Sequence, residues 1–149
     1  MDDLERVLRT HPFLDGMSAE HVRVLVGCAR TLRFRAGEFL VREGDPEGEL
    51  FLLRQGVVTI EVGRVGSGET QIETLGPGDV LGVSLLTARP AHLDCRARET
   101  VLAFSLDHVC LRAKMSADPA LGFDLTARLL ERTYERLARA RMQNVDMFR

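Results

Sequence analysis

Apolar positions near the N-terminus recur with a helical period. Leu4, Val7 and Leu8 share one side of residues 2–10, acids stand at the start, and Pro12 interrupts the pattern. Ser18 is placed to cap a second helix with an apolar stripe of Val22, Leu25, Val26 and Ala29. Glu20 lies at N2, one residue short of the capping-box position. The period changes at Thr31. From there to Phe104 the short runs TLRFR, EFLV, LFLLR, VVTIEV, TQIETL, DVLG, CRAR and TVLAF alternate with turns. Glycines at 37, 44, 48, 56, 63, 66, 68, 76, 78 and 82 are too frequent for helix and suit closely folded hairpins of an antiparallel unit. GRVGSG reads as an exposed hairpin between two of the strands.

Helical spacing returns after Phe104. Ser105 is read as the cap of a helix carrying Leu106, Val109, Cys110, Ala113 and Met115. Pro119 suits the first turn of a second helix that runs to about Asn144, interrupted by Gly122 alone. Leu121, Leu125, Leu129, Leu130, Leu137 and Ala140 give it a broad apolar stripe, with Asp124–Arg128 and Glu135–Arg139 as i,i+4 pairs. Its length of about 26 residues corresponds to roughly 39 Å. That exceeds the width of a small barrel, so part of the helix is expected to protrude or pack on a partner.

The chain has 149 residues, 45% hydrophobic and 28% charged, with a formal charge of -2. One domain over 1–149 fits this size: helices over 1–30, a β-unit over 31–104 and helices over 105–149. The near-neutral charge does not favour nucleic acid. No apolar run is long enough to cross a membrane, and the acidic start is unlike a secretory signal. Cys28, Cys95 and Cys110 are odd in number and widely spaced, which predicts reduced thiols in a cytoplasmic protein. Histidines 11, 21, 92 and 108 are scattered, and no cysteine matches a nucleophile motif, so no catalysis is expected. His92 and Asp94 share a strand face that Cys95 leaves, so no metal site is expected.

Helices, a glycine-punctuated roll of short strands, then a short and a long helix: this order resembles the cyclic-nucleotide-binding domains of the catabolite activator protein, its bacterial relatives, and kinase and channel regulatory domains. FRAGEFLVREGD (34–45), LFLLRQGVVTI (50–60), LGPGDVLG (75–82) and the strands of 96–104 carry the similarity across nearly the whole chain. The resemblance implies a mainly β fold with flanking helices, a double-stranded β-helix (jelly roll), and a non-catalytic regulatory role. It also implies a phosphate-binding cassette after the glycines. There a glutamate takes the ribose hydroxyl, and an arginine takes the phosphate of cyclic AMP or cyclic GMP.

This chain departs from that cassette. Val83 stands at the glutamate position. Counting forward from Gly82 puts His92 at the arginine position, and counting back from Cys95-Arg96-Ala97 puts Ala91 there. Arg89 precedes Pro90, which turns it from helical geometry. Asp94 takes the place of a small hydroxyl residue and would repel a phosphate. Gly82, Val83, Ser84, Arg89, Ala91, His92 and Asp94 are therefore the candidate ligand pocket. Altered or lost affinity for cyclic nucleotide is one expectation, another small anion in the same cavity a second, a filled pocket serving protein contacts a third, and genuine binding of cyclic AMP or cyclic GMP by a non-standard cassette a fourth.

In the bacterial relatives the long helix packs on its mate, so a homodimer through the C-terminal helix is expected, with Leu130, Tyr134, Leu137, Arg141 and Val145 toward the partner. Arg128, Arg132 and Arg136 form an i,i+4 line that rules out a strictly apolar heptad seam on that side, and the six arginines from Pro119 onward, partly offset by four acids, read as a charge-laced solvent face. A protein partner is the other expected contact. The chain ends at Arg149, where the relatives' helix-turn-helix would begin, so direct DNA binding is not expected.

Overall fold

In a computed structural model, residues 3–46, 48–64, 68–87 and 89–147 are described. Helix α1 (Asp3–Arg9) ends at a 3-10 turn over Pro12–Leu14. Helix α2 (Ala19–Val26) starts where the Ser18 hydroxyl accepts the His21 N–H at 3.1 Å, as the sequence predicts. Eight strands follow: β1 (Ala29–Phe34), β2 (Phe39–Val41), β3 (Glu49–Gln55), β4 (Val58–Arg64), β5 (Gly68–Leu75), β6 (Val80–Leu81), β7 (Asp94–Ala97) and β8 (Val101–Asp107). A 3-10 turn over Val83–Leu86 separates β6 from β7. Helices α3 (His108–Ala117) and α4 (Pro119–Met147) close the chain. The tip of the GRVGSG hairpin, residues 65–67, lies outside the described residues.

The strands form two four-stranded antiparallel sheets, ordered β1-β8-β3-β6 and β2-β7-β4-β5. The central strands β8 and β3 of the first sheet are buried on both faces, which explains why β3 reads as the continuous run LFLL. Leu50, Leu52, Phe104 and Leu106 face α2, α3 and α4. Phe51, Leu53, Val101 and Ala103 face the second sheet and meet Val58, Ile60, Leu75, Cys95 and Ala97.

Three expectations are corrected. Ser105 does not cap a helix. It is a buried residue of β8, opposite Phe51 and Arg30, and α3 is capped two residues later by the Asp107 carboxylate, which accepts the Cys110 N–H at 2.9 Å. Leu106 has a helical spacing to Val109 and Cys110, but it also alternates with Phe104, and burial on the sheet prevails. Cys28 and Cys110 are not free thiols; they form a disulfide with Cα atoms 5.6 Å apart. The thiol-count argument for a reducing compartment falls with that pair. Finally, Arg128, Arg132 and Arg136 do not form a solvent face. They follow the inward stripe of Leu121, Leu125 and Leu129, all three buried. Arg128 donates to the carbonyls of Phe13 and Asp15 at 2.8 and 2.7 Å, and Arg132 to that of Gly78 at 2.9 Å.

Helix α4 spans 29 residues. Gly122 sets how near it lies to α3: a Cβ there would stand 2.8 Å from the Met115 carbonyl oxygen. The Asp124–Arg128 pair forms at 2.9 Å, whereas Arg139 reaches Glu73 rather than serving a helix pair with Glu135. No helix among the described residues is long and apolar enough to cross a membrane.

Candidate ligand-binding site

Gly82 turns the chain out of β6 with φ +99°, and a Cβ there would collide with the Glu49 carbonyl oxygen of β3. Both the backbone sign and the close approach demand glycine. The chain then makes the Val83–Leu86 turn and returns past the β2–β3 connection. The Ala91 N–H donates to the Asp45 carbonyl at 2.9 Å, and the Ala91 carbonyl accepts the Gly44 N–H at 2.8 Å. The Asp94 carboxylate accepts the Glu43 N–H at 2.7 Å. These bonds fix residues 91–93 as one wall of a space whose opposite wall is α4.

That space is a cavity of about 290 Å³. Val41, Leu81, Val83, Ala91, Leu93 and Leu137 supply hydrocarbon walls, and Gly82 contributes backbone. The polar side chains of the lining are Glu73 from β5, His92, and Thr133 and Arg136 from α4. The Thr133 hydroxyl donates to the Leu129 carbonyl of its own helix at 2.8 Å. The Arg136 guanidinium grips both Glu73 oxygens, Nε at 3.2 and 3.3 Å and Nη2 at 3.0 Å. Arg139 reaches the same carboxylate from outside at 3.5 Å.

Of the residues singled out in the sequence, Gly82, Val83, Ala91 and His92 line this cavity. Arg89 is exposed, and neither it nor Asp94 belongs to the described lining. The Ser84 side chain lies outside the described residues, although its backbone belongs to the 3-10 turn. Sequence reasoning missed Glu73, Thr133, Arg136 and the inward reach of Leu137. The 3–4 spacing of Leu125, Leu129, Arg132 and Arg136 is the signal that puts Arg136 on the inner face of α4. No local signal marks Glu73, which arrives through strand pairing.

Cys95 lies wholly buried, and burial pushes its thiol up to about 12, with Arg136 acting in the opposite direction. It stays protonated at neutral pH and is no nucleophile. Among the described residues no group of three or more histidines, cysteines and acids is arranged to hold a metal ion.

Comparison with known proteins agrees with this architecture. Residues 31–118 match the cyclic nucleotide-binding domain family. A curated relative, cyclic nucleotide-gated ion channel 18 of Arabidopsis thaliana, is 32% identical over 95 residues. That alignment takes in 57% of this chain but only 14% of the channel, so this chain spans a small part of its relative's length. A cyclic nucleotide-binding domain from Methylobacillus flagellatus superposes with a TM-score of 0.84 at 24% identity, covering 97% of this chain and 83% of that one. The regulatory subunit of a cAMP-independent protein kinase A from Trypanosoma brucei superposes at 0.72 with 21% identity, covering 89% of this chain and 46% of the other. With residues 31–118, more than half of its length, matched to the family, this chain belongs to the cyclic nucleotide-binding domain family.

Proposed function

We propose that the protein is a non-catalytic regulatory module in which a small ligand enters the cavity between the strands and α4, and in which binding of cyclic AMP or cyclic GMP is weakened or lost. The observation that carries this reading is the open cavity itself, walled by hydrocarbon where the ordinary cassette would be polar. A ribose hydroxyl laid beside Val83 would lose its water without gaining an acceptor, at a cost of about 1–3 kcal/mol. Ala91 supplies no charge for a phosphate. A filled pocket would favour a purely structural module; a space of about 290 Å³ favours a ligand. The two sheets serve in this reading as the walls of a jelly roll. The same fold carries a regulatory subunit described as cAMP-independent.

Helix α4 is the output element. Its outward face carries Phe123, Ala127, Leu130, Tyr134, Leu137 and Arg141 at alternating 4- and 3-residue steps, all exposed. That is heptad spacing, and a second copy of the chain is the occupant it fits. The arginine line that would break such a seam lies on the opposite face. Leu137 belongs to both surfaces, because it lines the cavity and also stands in the outer stripe. A ligand that moves Leu137 therefore alters the dimer seam.

Thermal melting with cyclic mononucleotides, cyclic dinucleotides and small carboxylates tests the ligand reading. A ligand at a hundredfold its Kd stabilises by about 2.7 kcal/mol, which raises the Tm of a chain this size by about 5–10 °C. Cyclic AMP and cyclic GMP at 1 mM are expected to produce less than about a fifth of that shift. A saturable cyclic AMP shift of the full size would overturn the reading.

A further inference from the structure

At the mouth of the cavity two guanidinium groups of α4 converge on one carboxylate of β5. Arg136 holds Glu73 from the cavity side, with side-chain exposures of 20% and 22%. Arg139 touches it from the solvent side and is 56% exposed. We propose that Arg136 is the anion-binding group of this cavity and that Glu73 is its resident counter-ion. The ligand is then a small molecule with an apolar body and one anionic head, which displaces Glu73 from Arg136. The proposal rests on the sensory reading above and adds the chemistry of the ligand to it.

Several observations converge. Arg136 is the one guanidinium among the described lining residues, so it stands in for the arginine the cassette lacks. At the mouth the Glu73 carboxylate meets two guanidiniums, with Asp79, Arg132 and Glu135 beside them on the outer side. The fork of Arg136 already meets a carboxylate through both Nε and Nη2, the geometry it would offer to an incoming carboxylate or phosphate head. Glu73 is not stranded by the exchange, because Arg139 already touches it. The pair is only partly shielded from water, so opening it is not prevented by desolvation. The rest of the lining, Val41, Leu81, Val83 and Leu93, suits a hydrocarbon body. The volume stands at the small end of ligand pockets, about 300 Å³, and so selects a compact molecule.

The test is isothermal titration with hexanoate, hexyl phosphate and 1-hexanol, three probes with the same body and different heads. On the unaltered protein at least one anion is expected to bind about tenfold or more tighter than 1-hexanol. The two anions together report which head the fork prefers. Glu73→Gln removes the competing charge and is expected to tighten that anion about three- to tenfold while leaving 1-hexanol unchanged. Arg136→Gln is expected to bring the anion down to the affinity of 1-hexanol. Equal binding of all three probes to the unaltered protein leaves the cavity a sensory site and overturns the role of Arg136. So does an anion preference that survives Arg136→Gln. No binding and no Tm shift with any probe overturns the sensory reading together with it. The comparison on unaltered protein needs no variant to fold, and a thermal melt of each variant accompanies the other two.

Discussion

His11 shows how one side chain joins the N-terminal helices to the strands. It is buried, its Nε2–H donates to the Leu53 carbonyl at 2.8 Å, and its Nδ1 accepts the Phe13 N–H at 3.1 Å. The second contact needs the neutral ring, because a protonated Nδ1 cannot accept. Burial lowers its pKa below the ordinary value of 6.5, and Arg132 and Arg54 add to that, while the Leu53 carbonyl and Asp79 oppose it. The unfolded chain therefore takes up this proton first as the medium acidifies. The stabilisation is complete above about pH 6.5 and is lost as the pH falls toward the lower folded value, at no more than about 1.4 kcal/mol per pH unit. Urea unfolding between pH 7.5 and 5 is expected to show that decline. His11→Gln is expected to be less stable at pH 7.5 by about 1–3 kcal/mol, since two buried partners lose geometry, but to be flatter across the range. A variant with the same slope as the unaltered protein would remove His11 from the account.

Helix α4 carries two surfaces of different character, one packed and one exposed. Leu121, Leu125 and Leu129 lie within the helix-side core, and the arginines that continue their line are tied to backbone and to Glu73. On the outer face Leu130 and Tyr134 are 68% and 66% exposed in the single chain. Burying a leucine of this kind against a second copy is worth about 1.5–3 kcal/mol per side chain. Sedimentation at about 50 µM is expected to give a dimer for the unaltered chain and a monomer for Leu130→Asp/Tyr134→Asp, with little change in the Tm of the monomer. A monomeric unaltered chain would defeat the dimer.

The same helix shows how far the sequence could be read. Leu121, Leu125 and Leu129 were legible as its packed side because apolar spacing reports burial. Arg128, Arg132 and Arg136 were not, because charge alone suggests solvent although a long side chain can lie along a buried face and end on carbonyls. The strands were legible as short runs with glycine turns, and each was found within a few residues. Their order was not, since pairing of β1 with β8 joins residues some seventy positions apart and no local pattern encodes that register. The cavity followed suit. Gly82, Val83, Ala91 and His92 come from one stretch of chain and could be named, whereas Glu73 and Arg136 reach it only through strand pairing and the docking of α4.

The Cys28–Cys110 disulfide acts on the molecule as a whole, because its 82-position span encloses every strand. Its two ends already lie together: the Cys28 carbonyl accepts the Asp107 N–H at 3.1 Å, and Ala29 pairs with Leu106. The native chain therefore needs little rearrangement to form the bond, and its main effect falls on the unfolded ensemble, whose loop it closes. Such a cross-link is worth about 2–4 kcal/mol, or about 4–16 °C in Tm for a chain of this size. Cys95 does not complicate the comparison, since its buried thiol is pushed up to about 12 and offers little thiolate for exchange. Cys28→Ser/Cys110→Ser is expected to melt lower by that interval. Addition of dithiothreitol should lower the Tm of the unaltered protein similarly and leave the variant unmoved. The bond lies outside the cavity lining, so hexanoate affinity at 25 °C is expected to be the same in both. Equal melting temperatures would show that the bond constrains nothing the fold does not already hold. A loss of hexanoate binding would instead tie α3 and the cross-link to the cavity through α4.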